Sequence, residues 1–306
     1  MADKIFKGSA FGFAALVLIV MVSIMVMLFK EAWPTFHHFG FQFFYSEQWD
    51  AVNNQYGALV PIVGTLVTSL IAVIIGVPVS FGIAIFISLL APDWFKRPVG
   101  IAIELLAAVP SIIYGMWGLF YFAPWFANSI QPVMTDTLGN VPWLGQFFQG
   151  PPIGVSIFTA GFVLAIMIIP FIASVMRDMF DVVPTALKES AFAMGSTTWE
   201  VVWKVVLPYT KAGVIGGIML GLGRAMGETM AVAFVVGNSL EINAGLFYPG
   251  ATIASTMANE FNEASGLHLS SLIALGFMLF VITFIVLSLA KWFLIRLEKA
   301  QAGEKT

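Results

Sequence analysis

Residues 184–208 read PTALKESAFAMGSTTWEVVWKVVLP, a polar interval between two long apolar runs. Pro184 suits the first turn of a helix, where its missing N–H is not needed. A short helix is predicted from there through Leu187, Glu189 and Ala193. Gly195 permits a left-handed backbone at the helix end, which residues with a Cβ adopt only at a cost. Thr197-x-x-Glu200 is a capping box, in which side chain and backbone satisfy each other's free donors, and it starts a second helix. Pro208 is predicted to break or kink the chain as it enters the next apolar run. The expected product is helix, sharp turn, helix at a membrane surface, with Ser190, Ala191 and Ala193 giving the first helix a smooth face for close packing.

The membrane is read from composition. The 306 residues are 59% hydrophobic and 10% charged, with a mean hydropathy of +0.92. Soluble domains carry about 25% charged residues, so charge this sparse implies a polytopic, all-α transmembrane helix bundle. A crossing needs about 20 apolar residues, and six candidates stand near 9–29, 59–91, 99–124, 152–176, 212–237 and 270–295. The first follows Lys4 and Lys7. Its long core, Phe11 to Phe29, and the lack of a small-x-small cleavage site predict a retained span. Gly76-Val77-Pro78 is predicted to bend the second. The absence of Cys excludes disulfides, thiolate metal sites and a cysteine nucleophile, and His37, His38 and His268 have no metal-ligand spacing. No basic stripe points to nucleic acid. The expected layout is an N-terminal helix and outer loop (1–57), a transmembrane domain (58–295) holding a cytoplasmic loop (177–211), and a cytoplasmic tail (296–306).

Orientation follows the placement of positive charge. Lys4, Lys7, Lys96, Arg97, Arg177, Lys188, Lys204, Lys211, Lys291, Arg296, Lys299 and Lys305 fall in one set of connections, and only Lys30 in the other. Both termini are therefore expected in the cytoplasm, with the chain multi-pass in the inner (plasma) membrane. The outer loops are rich in aromatics, including Phe36, Phe39, Phe43, Tyr45, Trp49 and Trp143. Two readings stand: an interfacial aromatic belt, which is favoured, or a landing surface for an extracytoplasmic binding protein.

Arg224 is the one cation inside a span, thirteen residues past Lys211 and thus about 20 Å into the helix. Such a charge costs about 2.5–3.5 kcal/mol on translocon scales and usually faces a bundle interior or a water-filled path. Glu228 follows at i+4 and is expected on the same helix face. The two could neutralise each other as a structural ion pair. Alternatively Arg224 meets an anion in the pathway, with Glu228 holding or tuning it. Gly213, Gly217 and Gly221 on the same span predict close backbone packing. Ser111 and Tyr114, beyond Pro110, are candidates to line a polar route. Glu104 is read as structural, pairing with a charge on a partner subunit.

Glu189-Ser190-Ala191, three residues, Gly195, nine residues and Val205-Val206-Leu207-Pro208 together resemble the docking loop of type I ABC-importer permeases, with Ser190 and Val205 as mild departures. The resemblance covers roughly residues 58–295. Two further stretches, Glu104–Gly118 and Gly221–Val232 followed by Gly237-Asn238, resemble the phosphate-specific branch of that family. What the resemblance implies is a permease subunit, not an enzyme, forming a path for inorganic phosphate, with Glu189, Ser190, Ala191, Gly195, Leu207 and Pro208 at the ATPase-docking surface. The implied partners are a sister permease of the PstA type, two copies of an ATPase of the PstB type and an extracytoplasmic phosphate-binding protein of the PstS type. The chain has no Gly-rich loop ending in Lys-Ser/Thr, so no cofactor is expected on it, and ATP and Mg are assigned to the ATPase. A permease for another oxyanion (sulfate or molybdate), or a channel or membrane anchor, are the alternatives.

Overall fold

A computed structural model describes residues 2–303; Met1 and residues 304–306 of the expected tail, Lys305 among them, lie outside the described residues. Helix α1 (Ala2–Phe39) has 38 residues. At 1.5 Å per residue that is about 57 Å, well beyond the ~30 Å hydrocarbon core. One turn, α2 (Gln42–Tyr45), and a minimal hairpin follow: β1 (Trp49–Asp50) pairs antiparallel with β2 (Gln55–Tyr56), Trp49 opposite Tyr56.

Helix α3 (Leu59–Ile85) runs through Pro78 without interruption. The hydrogen-bond pattern changes only later, in a π-helical turn at Phe86–Leu90, not at the predicted 76–78. The Ser80 hydroxyl donates to the carbonyl of Gly76, and it also reaches that of Ile169 on the neighbouring helix, which ties the proline region down.

The predicted span at 99–124 is not one straight helix. Helix α4 (Asp93–Ala107) stops, and the chain turns by 86° into α5 (Ser111–Trp117), α6 (Ala123–Trp125) and α7 (Gln131–Leu138), which π turns join into one element. The cause is Pro110, which lacks a donor and disfavours helical geometry at the residue before it. The broken element still crosses the full bundle, because it follows α8 (Ile157–Asp181) from end to end. Gly100 lies against Arg177, Gly118 against Val163, Phe122 stacks on Phe162, and Phe126 on Phe158. Five helices are long and apolar enough to cross a membrane, and the broken element, taken as one span, makes a sixth.

Beyond α8 come α9 (Thr185–Ala193), α10 (Thr198–Val201), a π turn at Val202–Val206 and α11 (Leu207–Met226). Pro208 does not break the chain as predicted. The Leu207 N–H reaches back to the Val202 carbonyl, and the π turn thereby accommodates the proline's missing donor inside one continuous helix from Thr198 to Met226. The predicted run 212–237 is corrected at its far end. The helix stops at Met226, and a separate α12 (Met230–Val235) follows. Helices α13 (Ile253–Glu260) and α14 (Leu267–Gly303) complete the chain.

Helix α8 is the hub. Val163, Leu164, Ile168, Ile172, Met176 and Phe180 are fully enclosed by α3, α4, α11 and α12. Its first donors are capped by Ser156, and by the carbonyls of Tyr248 and Leu246 in the loop between α12 and α13. Gly213, Gly217 and Gly221 of α11 meet it as the spacing implied: a Cβ at these positions would run into Met179, Val175 and Ile172 respectively. A second core joins α1 to α14, with Thr35 hydrogen-bonded to Ser270 and Ser271. Of the loop aromatics, Phe36, Phe39, Phe43 and Trp49 pack in or against this core, where Tyr56 stacks on His268 and Trp49 Nε1 donates to Glu260, while Tyr45 and Trp143 stand exposed.

Candidate functional site

The predicted docking turn is built as its chemistry dictates. Helix α9 follows directly on Pro184 and ends before Gly195, whose φ is +84°. Thr197 and Glu200 exchange both hydrogen bonds of the capping box, the Thr197 N–H donating to Glu200 Oε2 at 3.0 Å and the Glu200 N–H to Thr197 Oγ1 at 3.4 Å. Ala191 is buried against the bundle core, while Glu189, Ser190 and Ala193 face outward. Leu187, Phe192, Met194 and Trp199 stand exposed around them, leaving apolar surface with no cover from this chain. Leu207 opens α11 and Pro208 sits in its first turn. Lys188 turns back to the bundle, its Nζ donating to the Phe180 carbonyl at 2.9 Å. Burial pulls this ammonium below the usual lysine range, with Lys96 pushing the same way and Asp181 opposing.

The four pathway candidates lie at two helix breaks, and the short helices beyond those breaks, α5 and α12, pack on each other. Arg224 occupies the last turn of α11, and Glu228 lies in the break before α12. Ser111 opens α5, and Tyr114 is one turn further on. The two short helices touch at van der Waals limit: a Cβ on Gly115 would be 2.9 Å from Ala231 Cα. The Tyr114 hydroxyl donates to the Leu106 carbonyl at 3.0 Å, bracing the α4–α5 corner. The Arg224 guanidinium sits over the Phe171 ring of α8, 5.9 Å from the centroid.

The expected shared helix face of Arg224 and Glu228 is not formed. The helix ends between them, and among the described residues neither takes part in an ion pair. The Glu228 carboxylate instead accepts the Ala231 N–H at 3.3 Å, a side-chain cap on α12. Arg224 is exposed in this chain. A lone guanidinium beside broken helices can meet a mobile oxyanion with several donors at once. Among the described residues no group of three or more His, Cys, Asp or Glu could hold a metal.

Glu104 has a partner within its own chain: Arg177 Nη2 lies 2.7 Å from its Oε1 and 2.8 Å from Asp178 Oδ1. Sequence alone puts Arg177 in the loop at 177–211 and assigns it no role. Its position four residues before the end of an apolar helix, facing a carboxylate that is itself within an apolar run, was the available signal.

The fold is a bundle of long apolar helices, one of them broken, with a helix–turn–helix between α8 and α11. The profile of the family "Binding-protein-dependent transport system inner membrane component" matches residues 76–299, and this chain belongs to that family. It is 57% identical to the phosphate transport system permease protein PstC of Pasteurella multocida (strain Pm70), across 98% of this chain and 93% of the relative. To the PstC of Haemophilus influenzae it is 55% identical, across 98% and 95%. Among solved structures, it matches a bacterial ABC transporter involved in the import of the acidic polysaccharide alginate with a TM-score of 0.52 at 16% identity. That match covers 93% of this chain and 95% of the other, and speaks for the fold alone.

Proposed function

We infer that this chain is the permease subunit of an ATP-driven importer that forms the path for inorganic phosphate across the cytoplasmic membrane. The observation that carries the reading is the continuous 29-residue helix from Thr198 to Met226, which joins the docking turn to Arg224. Displacing the turn as a rigid body displaces the charge, about 40 Å away by helix rise. Phosphate as cargo is supported by the likeness to PstC proteins along nearly the whole chain and by the fit of a guanidinium to a tetrahedral oxyanion.

In this reading the positive-charge bias puts both termini and the docking hairpin in the cytoplasm. An ATPase dimer of the PstB type binds the hairpin and holds ATP and Mg, so this chain carries no cofactor and performs no hydrolysis. A sister permease of the PstA type completes the path around Arg224, and a PstS-type binding protein delivers phosphate from outside. Glu189, Ser190, Ala191, Gly195, Leu207 and Pro208 serve docking; Arg224, Glu228, Ser111 and Tyr114 serve the path.

The test is ATP-dependent uptake of labelled phosphate by the four-component complex in proteoliposomes, with sulfate and molybdate as competitors. Uptake that resists both competitors is expected. Efficient competition would reassign the cargo to another oxyanion, and flux without ATP would make the protein a channel.

A further inference from the structure

A chain of side-chain contacts runs from the docking helix to the pathway corner, and its middle link has no assigned purpose. Lys188 of α9 donates to Phe180 near the end of α8. One turn back, Arg177 reaches across to Glu104 of α4. Two residues past Glu104, in the same last turn of α4, the Leu106 carbonyl accepts the Tyr114 hydroxyl. Helix α4 is otherwise thinly held there: its Ile103 joins Ile87 and Ala173 in a small apolar cluster, while Ile101, Leu105 and Leu106 are exposed.

The clasp is built for a guanidinium. Arg177 is largely enclosed, with a side-chain exposure of 16%. Gly100 supplies the clearance, since a Cβ there would stand 2.5 Å from Arg177 Nη1. Arg177 also holds Asp178, so the planar fork serves carboxylates on two helices. The surrounding pocket, about 350 Å³, brings in Asp93, Lys96, Arg97 and Asp181. It carries more carboxylates than cations, which disfavours an anion site and leaves alignment as the purpose.

We propose that the Arg177–Glu104 clasp is a positioning pair that makes α4 follow the docking helix, so that movement at the ATPase surface reorients Tyr114 and Ser111 at the pathway corner. It rests on the permease reading above. Neither residue contacts the cargo; both act through α4.

Gly100→Ala tests this without removing a charge. Alanine favours a helix over glycine, and the only atoms it meets belong to the flexible end of Arg177, so folding is preserved while the guanidinium is displaced. In the assembled transporter, Gly100→Ala and Glu104→Gln are expected to keep ATP hydrolysis while phosphate imported per ATP falls by roughly 3- to 10-fold, the size of a typical coupling change. KM for phosphate stays unchanged. In an Arg177→Lys background, where the slimmer ammonium clears position 100, Gly100→Ala should have no further effect. A second readout does not depend on the cargo: thiol modification of Ser111→Cys should change with ATP in the wild-type background and lose that response with Gly100→Ala. An unchanged transport ratio and an unchanged Ser111→Cys response in Gly100→Ala would overturn the proposal. Failure of the parent complex to import phosphate would overturn the permease reading instead, leaving the Ser111→Cys comparison to judge the clasp.

Discussion

Arg224 and Glu228, four residues apart, are separated by the end of a helix: α11 stops at Met226, and Glu228 caps the next helix through Ala231 and forms no pair with the arginine. Neither charge therefore depends on the other for compensation. Arg224→Gln and Glu228→Gln should each assemble with normal yield, and their effects on thermal stability in detergent should add within about 0.5 kcal/mol. Glu228→Gln keeps an acceptor for the Ala231 N–H, whereas Glu228→Ala loses it and should cost about 0.5–1.5 kcal/mol, as the loss of one hydrogen bond does. A double mutant more stable than the sum of the singles would restore the ion-pair reading.

Gly195 turns the docking hairpin at φ +84°, with nothing within 4 Å of where a Cβ would stand. Space is free, so the cost of a side chain is backbone strain alone, about 1–2 kcal/mol for a residue with Cβ. Asparagine tolerates this conformation. Gly195→Asn should retain ATPase association in pull-down, while Gly195→Val should weaken it and Gly195→Trp should uncouple hydrolysis from uptake. Equal behaviour of Asn and Val would remove the role given to the turn.

The α8–α11 interface should respond to single methyl groups. A Cβ at Gly217 would lie 2.9 Å from Val175 Cγ1. Gly217→Ala is expected to destabilise by about 1–3 kcal/mol, the usual range for overpacking, and Val175→Ala should recover most of that loss. Thermal unfolding of the two singles and the double measures it.

Orientation can be checked on a background with no natural cysteine. Asn140, Met194 and Asn262 are all exposed. Single cysteines at 140 and 262 should react with an impermeant reagent in sealed cells, and one at 194 should react only after lysis. Labelling of 194 from outside would invert the topology.

The helix–turn–helix at 184–208 was legible because its determinants are local: a proline, a positive-φ glycine and a capping box within 25 residues. The glycine register of α11 was legible for the same reason, through helical periodicity. The two breaks beside the path were not. Pro110 marks the first, but the apolar run continues across it and hides the corner. At the second no proline appears, and the i, i+4 spacing of Arg224 and Glu228 imitates a helix that has already ended at Met226. Pro208 misled in the other direction, because a π turn absorbs the donor it lacks. Arg177 and Glu104 are 73 positions apart, and Trp49, Glu260 and His268 converge across more than 200. No local pattern specifies such pairs, which exist only once α8 has gathered its neighbours.

The most direct test is phosphate uptake by the reconstituted complex carrying Arg224→Gln, with complex yield and ATP hydrolysis measured in the same vesicles. Loss of uptake with assembly and hydrolysis preserved is the expected result, since the guanidinium is needed only by the passing anion. Uptake at the parent rate would contradict the placement of the phosphate path at Arg224.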